Sequence, residues 1–86
     1  MSRYELDERL AKAREALSQA DFPSAIALPE RLVGEDSAHG EAWRELGVCY
    51  LETHQPDRAI AALTRAIHAV PQDATAHYLL GMPAGA

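Results

Sequence analysis

Apolar residues recur along the chain at spacings of three and four positions, which is the period of an α-helix. In the first stretch, Leu6, Leu10, Ala13 and Leu17 fall on one helical face. Proline, aspartate and glycine interrupt the pattern at short intervals, and no stretch sustains the alternation of a strand. The pattern therefore predicts an all-α fold of five helical segments with short antiparallel connections. These segments are 4–20, 23–34, 40–53, 56–70 and 74–82, followed by a tail at 83–86.

The chain also resembles itself when it is shifted by 34 residues. Leu17 falls on Leu51, and the first of two Ala-Ile-Ala sequences, 25–27, falls on the second, 59–61. One interval further on, Leu46-Gly47 falls on Leu80-Gly81. A constant offset across three copies indicates a repeat architecture rather than a chance similarity.

The middle copy, residues 40–73, resembles the tetratricopeptide repeat, a 34-residue unit with the pattern W-x2-L-G-x2-Y, then A, F, A and P. The residues at those eight positions are Trp43, Leu46, Gly47, Tyr50, Ala59, Leu63, Ala66 and Pro71, with Leu63 in place of phenylalanine. The resemblance implies a solenoid of antiparallel helix hairpins with about two and a half repeats. We expect one domain over 1–86, with units at about 4–37 and 40–73 and a half unit at 74–82.

The first unit departs from the pattern in both helices. The positions of the tryptophan, leucine and tyrosine hold Arg9, Lys12 and Ala16. The apolar stripe is displaced by one residue, which fits either a capping repeat with a solvated outer face or a change of register in the turn. Pro29 stands where the second helix has its large apolar residue, and it predicts a kink or a local break.

Composition restricts the classes of partner that the chain is expected to bind and the cellular compartment in which it is expected to work. The net charge of −5 disfavours nucleic acid and anionic membrane surfaces as partners. A single cysteine, Cys49, cannot form an internal disulfide, and the sequence shows no signal peptide and no apolar run of about 20 residues. We therefore expect a cytoplasmic protein without a membrane span.

Candidate chemistry is sparse. The four histidines, at 39, 54, 68 and 77, lack metal-ligand spacing, and the glycines form no phosphate-binding loop. Cys49 is expected to be a small core residue rather than a nucleophile, and His77, at the position of Trp43, to have a packing role. No metal, cofactor or catalytic residue is predicted, and the expected protein is not an enzyme.

The resemblance also implies a concave groove lined by the first helix of each unit. The corresponding positions mix apolar and charged residues, which suits an amphipathic helix or an extended peptide. They are Asp7, Leu10, Arg14, Leu17, Glu41, Arg44, Val48, Leu51, Thr75, Tyr78 and Met82. Arg44 and Tyr78 are residue types that often dominate binding, whereas Leu10 and Leu17 fit interhelical packing equally well.

Among repeat domains of this kind, those that clamp a chaperone C-terminal carboxylate use cations and asparagines at set positions. Here those positions hold Leu10, Arg14, Glu45, Thr75 and Leu79. Glu45 would repel a carboxylate, so this specificity is not expected.

The predicted function is therefore a protein-interaction or scaffolding module that binds a protein or peptide. Two alternatives stay open. The chain could self-associate through the apolar Leu79/Leu80 face of its incomplete last unit. It could also be the repeat region of a larger enzyme or secretion chaperone.

Overall fold

The structure, a computed structural model, describes residues 3–81 and the side chains of residues 8–81. It contains five helices, and no strand occurs in this range. They are α1 (Arg3–Ser18), α2 (Phe22–Glu35), α3 (Gly40–Glu52), α4 (Pro56–Ala69) and α5 (Ala74–Leu79). The predicted all-α fold is confirmed, although α5 ends three residues earlier than expected. The predicted tail at 83–86 and the Met82 position lie outside the described residues.

The helices form antiparallel hairpins that stack side by side. The extensive contacts are between α1 and α2 and between α3 and α4, while α2 packs on α3 and α4 packs on α5. Helix α1 also contacts α3 directly. The first helices of successive units are therefore neighbours, which is the arrangement of a helical-repeat solenoid.

The 34-residue repeat extends to backbone conformation. Ala20 and His54 both adopt positive φ angles, 60° and 58°, in the turns that follow α1 and α3. The next amide in each turn bonds to the carbonyl five residues earlier, and both distances are 2.8 Å. This is the Schellman arrangement that satisfies carbonyls at a helix end, here with residues other than the usual glycine.

Helix starts repeat in the same way. Asp73 caps α5 by accepting the Ala76 amide on Oδ1 at 3.1 Å. His39, 34 residues earlier, caps α3 by accepting the Ala42 amide on Nδ1 at 3.2 Å. An acceptor side chain at this position satisfies an amide that has no partner within the helix. The two cap residues differ in chemistry but supply the same hydrogen bond.

The α3–α4 hairpin is packed around Gly47. A Cβ atom built on Gly47 would lie 2.5 Å from Cγ of Leu63, so only glycine allows this helix separation without movement of Leu63. Ala59 and Ala66 are fully buried, and Trp43 packs against the cluster of Leu63, Ala66 and Ala76. The expected close contact between the two arms of one hairpin is therefore present.

The first hairpin uses the displaced stripe. Leu10 and Ala13 are buried, and Leu10 forms a core cluster with Leu32 and Ala42. Lys12, at the position of the buried Leu46, is exposed. The buried side of α1 thus faces α2 and α3, and Lys12 faces solvent.

Helix α2 continues without interruption through Pro29, so the predicted local break is wrong. Pro29 itself is fully buried. It has no amide hydrogen to donate to the Ala25 carbonyl one turn earlier. The thiol of Cys49 on α3 lies 3.5 Å from that oxygen and donates to it instead. The hydrogen bond that Pro29 cannot make within α2 is therefore replaced by one from α3 of the neighbouring hairpin.

Candidate partner-binding groove

The predicted groove positions lie on the first helix of each unit. Arg14 and Leu17 are on α1, and Thr75 and Tyr78 are on α5. Four more are on α3 between them: Glu41, Arg44, Val48 and Leu51. Because α1 contacts α3, the α1 and α3 residues belong to adjacent helices. The side chains of Asp7 and Met82 lie outside those that the structure describes.

Arg14 on α1 pairs with two carboxylates on α3. Arg14 donates from Nε to Oε1 of Glu45 at 2.9 Å and from Nη2 to Oε1 of Glu41 at 3.0 Å. The Glu45 side chain is only 9% exposed, whereas that of Arg14 is 51% exposed. The hydrogen bond to Glu45 is the main reason that the pKa of Arg14 is raised above its ordinary value. Arg14 therefore compensates a carboxylate that is almost removed from water.

A second pair joins α3 to the start of α5. Arg44 donates from Nη1 to Oδ2 of Asp73 at 3.1 Å, and its Nη2 lies 3.9 Å from Oε1 of Glu41. Asp73 is nearly buried and uses its other oxygen to cap α5. Glu41 thus stands between the two arginines. We call Arg14, Glu41, Glu45, Arg44 and Asp73 the ionic row.

The ionic row shows that the charged residues predicted to line the groove already have partners within the chain. The family resemblance places Arg14, Glu41 and Arg44 in the groove by position alone and assigns them no partners inside the chain. The structure gives each of them a partner of opposite charge on a neighbouring helix or cap. A ligand would have to replace these contacts to use the charges, which makes the row a fixed part of the surface.

The apolar residues at the groove positions differ in how much of each side chain is exposed to solvent. Tyr78 is 80% exposed and Leu51 is 39% exposed, while Val48 and Leu17 are half-buried. Thr75 is exposed beside them on α5. Leu10 is 1% exposed and belongs to the core, which is the interhelical packing alternative for this position.

The comparison with family models decides the family. The model described as tetratricopeptide repeat matches residues 16–82, which is most of the chain. The chain belongs to the tetratricopeptide repeat family. Its members generally mediate protein–protein interaction and are typically not catalytic.

In this tetratricopeptide repeat protein, Cys49 has a structural role. Its side chain is 1% exposed, and burial, followed by the nearby charges of Glu45 and Glu52, raises the pKa of the thiol to about 11. A protonated, buried thiol is a poor nucleophile and a competent donor. The expectation of a core cysteine agrees with this geometry.

The histidine at the Trp43 position is also a packing residue. His77 is 6% exposed, and its Nε2 lies 2.7 Å from the carbonyl oxygen of Pro71. Trp43 makes the equivalent contact 34 residues earlier, from Nε1 to the Ser37 carbonyl at 2.8 Å. Because a carbonyl can only accept, His77 carries its proton on Nε2.

Metal sites and membrane spans are two other features that helices can provide. Among the residues whose side chains are described, 8–81, no three histidine, cysteine, aspartate or glutamate residues lie close enough together to hold a metal ion. None of the helices within the described range combines the length and the apolar character required to cross a membrane.

Proposed function

We propose that this repeat protein binds a peptide or helix of a protein partner across α1, α3 and α5, and that apolar anchors provide most of the affinity. The observation that carries the proposal is the exposure of Tyr78 and Leu51 on the helices that the ionic row links. Large apolar side chains that stay in water on a rigid surface are characteristic of interaction sites.

The ionic row has a supporting part in this proposal. Its members tie α1, α3 and the α5 cap together, so the spacing of the three helices is fixed before a partner arrives. Preorganisation of this kind lowers the entropic cost of binding. In the proposed site, Arg14, Glu41 and Arg44 shape the surface, while Val48, Leu51, Thr75 and Tyr78 contact the partner. The units at 4–37, 40–73 and 74–82 act as one domain in this role.

Capture followed by measured binding tests the proposal. A photo-crosslinking residue at Tyr78 is expected to capture a partner that the same residue at Ile60 does not. Ile60 is the matched control because it is 54% exposed but lies on α4. The captured segment is then synthesised and its affinity is measured by calorimetry.

The expected result is a loss of affinity of at least about tenfold for the Leu51→Ala/Tyr78→Ala double variant and little change for Ile60→Ala. Two exposed residues are replaced, so folding is preserved and circular dichroism checks it. Equal losses in both variants, or capture at Ile60 alone, would contradict the proposed surface.

Self-association is the second candidate. Leu79 and Leu80 pack against the Leu63, Ala66 and Ala76 cluster but are only half-buried, which leaves an apolar edge at α5. A second copy of the chain could cover that edge. Light scattering would show a mass that rises with concentration, and Leu80→Gln would lower it. A constant monomer mass at millimolar concentration excludes this candidate. For either candidate we propose a cytoplasmic setting, in which Cys49 stays reduced.

A further inference from the structure

A surface depression lies away from the proposed groove, between the α2–α3 turn and α4. It encloses about 560 Å³ and is open to solvent. Its lining is Ser37, Ala38, Ala61, Thr64, Arg65, His68 and Ala69. None of these residues belongs to the groove, and the volume is within the range of sites that hold small groups of a ligand.

The charge of the depression is opposite to that of the whole chain. Arg65 and His68 are its titratable lining residues, and no carboxylate lines it. Among residues 8–81, no carboxylate lies within ion-pairing distance of Arg65. In the turn, Glu35 pairs with Arg9, while Asp36 accepts the Ala38 amide and does not line the depression. A positive site therefore persists on a chain of net charge −5.

The arginine is held in place by an aromatic ring. The guanidinium carbon of Arg65 lies 5.1 Å from the ring centroid of Trp43, a cation–π contact. The indole N–H bonds to the Ser37 carbonyl, so the ring is fixed by the same turn that lines the depression. Stacking occupies one face of a guanidinium and leaves its edge N–H groups free to bind a planar anion.

The first repeat unit lacks this arrangement. The positions of Thr64 and His68 hold Glu30 and Gly34 there, and the position of Trp43 holds Arg9. Arg31 is the counterpart of Arg65 but has neither the aromatic support nor the histidine. The side chains that give the depression its character thus differ from those at the corresponding positions of the first unit.

We propose that this depression is a second binding site that takes the carboxylate side chain of an acidic peptide. The carboxylate bonds to the edge of Arg65 beside His68, and small aliphatic neighbours in the peptide rest against Ala38, Ala61 and Ala69. A carboxylate matches the two edge donors of a guanidinium in geometry as well as in charge. The site works independently of the proposed groove, because the two share no residue.

A peptide titration followed by amide and indole NMR signals tests the site. The probe is acetyl-Ala-Ala-Glu-Ala-amide, and the matched neutral probe carries glutamine in place of glutamate. The acidic probe is expected to shift the Trp43 indole signal and the Thr64 and His68 amides with a millimolar Kd that weakens in salt. Equal shifts with the neutral probe, or no shift at these three residues, would overturn the proposal.

Three variants locate the contact. Arg65→Gln is expected to weaken binding at least about fivefold, and Thr64→Glu, which installs the residue of the first unit, to abolish it. Arg31→Gln, the equivalent change in the first unit, is expected to leave the Kd unchanged. If Arg31→Gln weakens binding as much as Arg65→Gln, the attraction is general charge and the site is rejected. Inorganic phosphate that shifts the same signals at a lower concentration than the peptide would reject the assignment to a carboxylate.

Discussion

Cys49 on α3 donates its thiol hydrogen to the carbonyl oxygen of Ala25 on α2, the acceptor that Pro29 leaves without a helical partner. Cys49, Pro29 and Ala25 are all buried, so the Ala25 carbonyl is shielded from solvent water that could serve as its donor. A buried carbonyl without a donor costs about 1–3 kcal/mol. The cysteine therefore has a specific reason to occupy its position, beyond filling space in the core.

A double-mutant cycle between Cys49 and Pro29 measures this coupling. Cys49→Ala is expected to destabilise the protein by roughly 1–2 kcal/mol, because it removes the donor and leaves a small cavity. In a Pro29→Ala background the restored amide serves the Ala25 carbonyl, so the same change should cost about 0.5–1 kcal/mol less. Denaturant unfolding of the four proteins gives the values. Additive effects of the two substitutions would show that the thiol and the proline are not linked.

Alkaline pH provides a second measurement on the same thiol. Burial raises the pKa of Cys49 from 9.0 to about 11, so the folded state retains a proton that the unfolded chain releases. Stability is then complete below pH 9 and is lost as the pH rises toward 11, by roughly 1–2 kcal/mol. The check is the free energy of unfolding from pH 8 to 11 in the wild type and in Cys49→Ala.

The variant is the control for other groups that titrate in this range. The pKa of Tyr50 is raised mainly by burial, so its ionisation also favours unfolding at high pH. That contribution is present in both proteins apart from the small part that the Cys49 charge adds to it, so the difference between their curves reports chiefly on Cys49. Parallel curves, or a wild type that gains stability relative to the variant above pH 9, would disagree with the proposed protonated donor.

The sequence predicted the repeat geometry well because that geometry is local. Helical periodicity places the five helices, and the spacing of Gly47 and Leu63 in one hairpin requires them to meet. The same offset of 34 predicts that His77 takes the position of Trp43, and both rings bond to the carbonyl six residues earlier. Contacts within a hairpin depend on short loops and a fixed period, and both can be read from residue types.

Contacts between hairpins were not predicted, because they depend on how one hairpin is rotated against the next. Arg14 and Glu45 are 31 residues apart, and Cys49 and Ala25 are 24 apart. Leu10 packs with Leu32 of α2 and Ala42 of α3, so its place in the core depends on both neighbouring helices. Pro29 predicted a kink or a local break on the basis of its own chemistry, whereas the donor to the Ala25 carbonyl that it leaves open comes from another helix.

The ion pair of Arg14 and Glu45 is expected to matter more than an ordinary surface pair. Arg14→Ala leaves the nearly buried Glu45 carboxylate without this partner and should destabilise the protein by about 1–3 kcal/mol. Arg9→Ala is the matched control, because Arg9 pairs with a Glu35 side chain that is 50% exposed. That variant should lose less than about 1 kcal/mol.

The stability losses of the two variants are also expected to differ in their dependence on salt. In 0.5 M NaCl the effect of Arg9→Ala should almost disappear because solvent-exposed charges are screened, while most of the Arg14→Ala effect remains. Thermal unfolding at low and high salt provides the comparison. If the two variants lose equal stability and respond equally to salt, the Glu45 carboxylate is solvated and the ionic row does not hold α1 against α3.

Two glycines test the close approach of α3 and α4. Gly47→Ala would place a methyl group 2.5 Å from Cγ of Leu63, whereas a Cβ on Gly34 in α2 meets nothing within 4 Å. Overpacking costs about 1–3 kcal/mol, and alanine gains up to about 1 kcal/mol in helix propensity at either site. Gly34→Ala should therefore be stabilising and Gly47→Ala destabilising by about 1–2 kcal/mol.

A second substitution identifies the cause of the Gly47→Ala loss. The first unit already has alanine at this position, Ala13, and there the residue at the Leu63 position is the smaller Pro29. Shortening Leu63 to valine should consequently be less costly in the Gly47→Ala protein than in the wild type, by about 0.5–1 kcal/mol. Denaturant midpoints for the single and double variants measure it. A Gly47→Ala protein as stable as Gly34→Ala would mean that the helices separate without cost, and Leu63 would then not set their distance.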